Sequence, residues 1–351
     1  NIGQVKYVGA LLQKLYNENQ LQNTALVLGN EDLLIPILNS LPRCIENINI
    51  TMGLPLKQIP FSAFIDQWLE LHKDTTPLYY YQDVIGVLSH QFVRPLFQTQ
   101  NRDAAQLILT TIKHQNVISL TKDQIIAIAP ECKDNLELLF EPWNDQPKKA
   151  IERVLALIFK LKDYYTKSKN NHLLALEYLY RFSEIFHHLQ RLNSNYSYIT
   201  SIKVLQGIYK ELLSLETLDF KGQPLKGLQI MGMLESRVLD FETVIIVSVN
   251  EGVLPAGKTN NSFIPFDVKI ENGLPTYKDK DAVYTYHFYR LLQRAKNAHI
   301  IYNTEPDVLS GGERSRFITQ LEFEAQHCLD HKIVIPETPQ ITPQLLTVKK
   351  T

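Results

Sequence analysis

The chain has 351 residues, of which 44% are hydrophobic and 21% charged, and its formal net charge is −1. That length suits two or three domains, and the composition is that of a folded globular protein rather than a disordered one. It excludes nucleic-acid binding through bulk charge, so any phosphate contact has to come from a local basic face; and no apolar run approaches the roughly 20 residues that span a bilayer.

Residues 4–19 carry Val5, Val8, Leu11, Leu12 and Leu15 on one helical face. Thr24–Leu28 is a short apolar run that predicts a buried strand. A helix is expected from Glu31-Asp32, acids suited to a helix N-terminus, to about Ser40 before Pro42. Ile48–Met52 alternates as a second strand, so the opening is a β-α-β unit, the mark of a parallel α/β sheet. From 56 to 220 the apolar residues recur at three- and four-residue intervals. Helices are predicted over 62–71, 79–97, 103–116, 148–169, 173–192 and 199–215, and the region reads as all-helical. Strand patterns then return at Leu228–Met231 and at Thr243–Val249, whose β-branched run without alternation suits a strand buried on both faces. A long loop over 250–275, a helix over 281–296, a strand over 299–303 and a helix over 312–328 complete the reading. The economical architecture is one α/β domain split by an inserted helical domain: 1–55 with 225–335, then 56–224, with 336–351 as a proline-rich linker.

Asn1-Ile2-Gly3-Gln4 leads straight into a helical pattern with neither an initiator Met nor a signal peptide, so the chain reads as part of a longer cytoplasmic protein. Cys44, Cys132 and Cys328 are isolated and odd in number, which points to a reducing compartment and away from a disulfide framework or zinc site.

Few residues suggest chemistry. Gly252-Val253-Leu254-Pro255-Ala256-Gly257-Lys258-Thr259 matches GxxxxGK[ST] and follows a strong strand. A phosphate-binding loop needs a helix opening at its Lys-Thr pair, with backbone N–H groups aimed at the anion. The following Asn260–Asp267 has poor helix formers and Pro265, so a surface loop is expected. Glu131-Cys132-Lys133, with Asp123 before it, matches the E-x-K of a metal-dependent nuclease, but Pro130 predicts a loop and no paired metal-binding acid is evident. Glu184 and His188 share a helix face without a third ligand. Tyr79-Tyr80-Tyr81 and Tyr178, Tyr180, Phe182 and Phe186 could stack on bases, and at helical spacing they read as packing residues. No catalytic residue and no metal site are predicted.

Leu228–Pro255, reading LQIMGMLESRVLDFETVIIVSVNEGVLP, resembles the motif V region of superfamily I helicases of the UvrD/RecB type: roughly T-x-H-x-x-K-G-L-E-F, a hydrophobic strand, then Gly and Pro. Leu239-Asp240-Phe241 stands at L-E-F and Arg237 at the Lys. Gly232 and Leu234 replace the Thr and His, and Val238 replaces the Gly. Tyr286–Lys296 is similar to motif VI, R-L-x-Y-V-A-x-T-R-A-K: Tyr289, Arg294, Ala295 and Lys296 match, Tyr286 stands at the first Arg and Gln293 at the Thr. Ala25–Leu56 looks like the motif IV region of the AddB type, and Ser310–Ile318 like a segment that follows motif VI there.

The frame of these motifs is kept while several polar members are lost, which resembles the inactivated helicase halves of AddB/RecC-like proteins in PD-(D/E)xK helicase–nucleases. The resemblance implies a RecA-like, P-loop-type parallel-sheet domain (helicase 2A) split by an all-helical 2B insertion. It implies a first RecA-like domain before Asn1 and a nuclease domain after Thr351, within a DNA exonuclease or helicase-like enzyme of break repair and recombination. The chain alone is expected to be inactive and without cofactors, ATP and Mg being implied only for active relatives. Arg294 is the remnant of the arginine that reaches a nucleotide phosphate. Arg237, Lys258, Arg314 and Arg316 are candidates for weak, sequence-independent DNA contacts, and Arg314 and Arg316 could equally pair with Glu313 or Glu322. The leading expectation is a DNA-binding scaffold. The alternatives are the second half of an active ATP-dependent motor, or a module that binds an AddA/RecB-like subunit.

Overall fold

The computed structural model describes residues 1–73, 76–98, 102–168, 172–196, 198–220, 226–256, 263–304, 313–324 and 329–335. The protein is α/β, and its chain divides into two compact units: Asn1–Gly53 with Asp219–Thr351, and Leu54–Leu218.

The first unit is built on a five-stranded, wholly parallel sheet of β1 (Thr24–Leu28), β2 (Ile48–Ile50), β3 (Leu228–Gly232), β4 (Thr243–Val247) and β5 (Asn297–Ile300), in the order β2-β3-β1-β4-β5. The strands predicted at the two ends of the sequence thus share one sheet. All five residues are buried in each of β1, β3 and β4, because helices cover both faces. On one face Leu26, Leu28, Ile230 and Ile245 pack against Val8 and Leu12 of α1 (Ile2–Asn17) and Leu34 and Ile37 of α2 (Leu34–Ser40). On the other, Val27, Met231 and Ile246 meet Phe288 and Leu291, together with Phe317 and Ile318. Those pairs lie on α4 (Tyr277–Leu292) and α5 (Arg316–Glu324); α3 (Phe266–Glu271) precedes them. Burying one such side chain contributes about 1.5–3 kcal/mol. One polar pair interrupts this apolar interior: buried Asn49 on β2 donates to Gln229 Oε1 on β3 at 2.8 Å.

Several boundaries differ from the sequence reading. α4 opens at Tyr277, not 281, because Thr276 and Asp279 form a reciprocal capping box. The expected loop over 250–275 contains α3. The last strand ends at Ile300 rather than 303, and α5 opens at Arg316, while residues 312 and 325–328 of the expected helix lie outside the described residues.

The second unit holds eight α-helices among its described residues, the longest being Pro147–Lys167 and Leu173–Asn195. It is not all-helical. Leu54–Pro55 pairs antiparallel with Thr217–Leu218, and Leu78–Tyr80 with Ser119–Thr121, where a helix from 79 was expected. Tyr79 and its cross-strand partner Leu120 are the buried residues of that ribbon, and the Tyr79 hydroxyl donates to Phe140 O at 2.7 Å. Trp68 Nε1 donates to Leu139 O, and His72 Nε2 bonds the same oxygen, each at 2.8 Å. These carbonyls end the helix Lys133–Phe140 and have no partner within it, so the aromatic side chains satisfy them. Burial pushes the His72 imidazole down to about 4, and Trp143 stacks on its ring at 4.0 Å.

Candidate functional site

The two segments singled out in the first unit, 231–241 and 286–296, lie against each other. After β3 the chain makes a turn closed by Ser236 Oγ donating to Met233 O at 2.7 Å and Leu239 N donating to Ser236 O at 3.2 Å. Leu239 and Phe241 then pack into the cluster that holds Phe288 and Leu291. Asp240, between them, is left projecting outward. Its Oδ1 accepts from Arg290 at 2.7 Å and its Oδ2 from Arg294 at 2.6 Å. Arg290 foremost, then Arg294, hold the Asp240 carboxyl below the usual carboxylate range. One step on, Lys296 Nζ pairs with Glu242 at 2.8 Å, and the Lys296 amide donates to Glu242 O at 2.8 Å.

Val238 has φ +67°, in the left-handed region, and its side chain is 81% exposed. A β-branched residue is an outlier there. This is the position at which the resembling motif carries Gly. Arg237, beside it, is exposed and has no ion-pair partner among the described residues; its charge adds to burial in lowering the His287 imidazole. His287, Arg290 and Arg294 recur at i, i+3 and i+7, with Arg294 just past the end of α4 at Leu292.

The other candidates are placed differently. Arg314 pairs with Glu322 at 2.7 Å. Arg316 is clamped by Glu251 through its Nε at 2.9 Å, its amide at 3.0 Å and an Nη2 contact, and Asp281 stands 3.8 Å away. Burial pushes the Glu251 carboxyl up, but its bonds to Arg316 more than offset that and hold it low. Lys258, with Gly257 and Thr259, lies outside the described residues. In the described part of the GxxxxGK[ST] stretch, Val253 N and Leu254 N donate to Asn250 O at 3.1 and 2.9 Å, and just before it Glu251 N donates to Glu313 O at 2.9 Å. Asn250 itself donates to Asn303 O at 2.8 Å and accepts from its amide at 3.0 Å.

In the second unit Glu131 and Cys132 belong to a 3-10 turn rather than a loop, and Lys133 opens the next helix and pairs with Glu137 at 3.7 Å. Glu184 and His188 are exposed, and Phe182 and Phe186 are core. Among the described residues there is no group of three or more His, Cys, Asp or Glu able to hold a metal ion, and no helix long and apolar enough to cross a membrane.

Sequence reasoning missed one feature. Glu31 Oε1 and Glu235 Oε2 both crowd the place a Cβ would take at Gly232, so two carboxylates share the carboxyl end of β3. Burial, then Glu235, then Asp32 push the Glu31 carboxyl up. Gly-x-x-Glu after a buried strand was the available signal.

The sheet and this surface define an α/β protein with a parallel five-stranded core and an arginine-rich cluster at the β3–β4 turn. No protein-family model and no curated protein matches the chain.

Proposed function

We propose that the chain is a non-catalytic, helicase-like scaffold that holds DNA within a break-repair helicase–nuclease, with a RecA-like 2A domain in the sheet unit and a 2B-like helical insertion. The observation that carries this reading is the meeting of the motif V-like turn with the motif VI-like helix end through Asp240, Arg290 and Arg294. The hydrophobic members of both segments act as frame, while the polar members bind one another. Arg294, the remnant of a nucleotide-sensing arginine, is tied to a carboxylate of its own chain. Val238 keeps a glycine's conformation without the glycine. The amides of Val253 and Leu254, bonded to Asn250 O, likewise weigh against a phosphate cradle in that loop.

Among the candidates within the described residues, DNA contact then falls to Arg237, which is exposed and has no ion-pair partner there; Lys258 lies outside those residues. Arg314 and Arg316 would have to break ion pairs first. The test is fluorescence anisotropy of the full chain with labelled single-stranded and duplex DNA across salt concentrations. Weak binding is expected, with a log–log salt slope of about 0.7–0.9 per phosphate contact, reduced by Arg237→Glu. No binding at the lowest salt, or indifference to Arg237→Glu, overturns the scaffold.

A second reading has its own observation. α3 buries none of its residues, and Phe266, Val268 and Ile270 on it are all exposed, Phe266 and Ile270 one turn apart. A surface of that kind favours a protein-contact module for an AddA/RecB-like subunit.

A further inference from the structure

Asp240 divides its two oxygens between two unequal arginines. Arg290 is mostly covered, with 23% of its side chain exposed, whereas 65% of Arg294 is exposed. An anion approaching this surface can therefore draw Arg294 away and still leave Asp240 neutralised by Arg290. Exposed ion pairs of this kind are individually weak and exchange partners readily.

The local pairing is also uneven. Arg290 and Arg294 share the single carboxylate of Asp240 and Lys296 pairs with Glu242, while Arg237 has no ion-pair partner among the described residues; Glu31 and Glu235 are the nearby acids, at the carboxyl end of β3. Arg290 lies in the last turn of α4 and Arg294 just past its end at Leu292, both bonded to Asp240 of the facing turn. The two exposed guanidinium groups, Arg237 and Arg294, stand on the surface rather than in an enclosed cavity, which fits a polyanion backbone better than a single enclosed phosphate. His287 adds no charge near neutrality, since burial and Arg237 hold its imidazole low.

We propose that Asp240 is a latch on a nucleic-acid contact: it holds Arg294, and a phosphate backbone lying across Arg237 and Arg294 competes with it for that guanidinium. The proposal rests on the DNA-scaffold reading for the identity of the ligand and adds a device that keeps binding weak. Removing the carboxylate releases Arg294 for the strand, while Arg290 keeps its covered position.

The test is anisotropy of the full chain with a labelled single strand and a labelled duplex, comparing the natural sequence, Asp240→Asn, Arg294→Gln and the double variant. One freed phosphate contact makes Asp240→Asn bind about ten-fold tighter near ~50 mM salt and steepens the log–log salt slope by about 0.7–0.9. Arg294→Gln then costs several-fold more affinity in the Asp240→Asn background than in the natural sequence, a non-additivity that marks coupled side chains. Asp240→Ser, which also frees Arg294, repeats the result if the amide variant folds poorly. A gain that survives Arg294→Gln, or no gain in either Asp240 variant, overturns the latch. If the natural chain binds through Arg237 but the Asp240 variants gain nothing, the latch fails and the scaffold stands. Binding by none of the proteins removes both. Binding only by the Asp240 variants keeps the latch and removes the scaffold as the natural chain's activity.

Discussion

Replacing Val238 by glycine should stabilise the sheet unit. Val238 sits at φ +67° with its side chain 81% exposed. The left-handed conformation costs a residue with a Cβ about 1–2 kcal/mol. Glycine escapes that cost, though its freer unfolded chain takes back about 0.4–1 kcal/mol. Little apolar burial is lost because the isopropyl group is in solvent. The balance is a gain of about 1 kcal/mol, or about 0.5 M in urea midpoint for a slope of about 2 kcal/mol/M. Trp68 and Trp143 both belong to the helical unit. Tryptophan fluorescence therefore follows that unit, and far-UV circular dichroism follows both. The dichroism transition absent from the fluorescence trace should move up in Val238→Gly, and the fluorescence transition should stay where it was. Val238→Ala retains a Cβ and should recover less than half of the shift. Equal shifts for alanine and glycine, or a lower midpoint for glycine, would refute the conformational argument.

Other perturbations have equally definite outcomes. His72 is buried and neutral, with its pKa at about 4 against an ordinary 6.5, so the unfolded chain binds the extra proton first as pH falls. The helical unit should keep its full stability above pH ~6.5 and lose about 3 kcal/mol by pH ~4; urea midpoints read by tryptophan fluorescence will show this, and a His72→Phe slope as steep as the natural one would rule the assignment out. Asn49→Leu strands the buried Gln229 carbonyl and should cost about 1–3 kcal/mol, whereas Asn49→Leu with Gln229→Leu should cost less than the two single losses added together. Gly29→Ala would place a Cβ 2.7 Å from Val247 O, the carbonyl that accepts the Gly29 amide; overpacking there should destabilise by about 1–3 kcal/mol, and an unchanged dichroism midpoint would contradict it.

β1 and β4 are legible in the sequence because TALVL and TVIIV are buried on both faces, so nothing polar interrupts them. β5 is harder to delimit: it lies at the sheet's edge, where Asn297 and Ala298 are exposed. The ribbon Leu78–Tyr80 was hidden because three residues are too few to show a period, and the tyrosines also fit the helix that follows. The start of α4 is encoded in Thr276-x-x-Asp279, four residues ahead of the expected start at 281. In the site, Arg294 and the hydrophobic frame around it are readable from local pattern. Its carboxylate partner is not, since Asp240 lies 54 residues away and is brought there by tertiary structure: Phe241 shares a core cluster with Phe288, and the Lys296 amide bonds Glu242 O.

The interleaved sheet also sets an order of events at the ribosome. β1 stands at the centre of the sheet, between β3 and β4, and both of those neighbours are made only after the entire helical unit. The Asn49–Gln229 pair spans 180 residues of chain and the Gln4–Ser248 pair spans 244. At about 5–20 residues per second, translation keeps β1 and β2 waiting roughly 10–40 s for their partners. The helical unit, continuous from Leu54 to Leu218, has no such delay. In that interval Ala25-Leu26-Val27-Leu28 is an uncovered apolar strand with two open edges, the kind of segment that pairs with whatever strand arrives first. A nascent chain stalled before Leu228 should therefore be protease-resistant across 54–218, sensitive across 1–53, and bound by chaperones at β1.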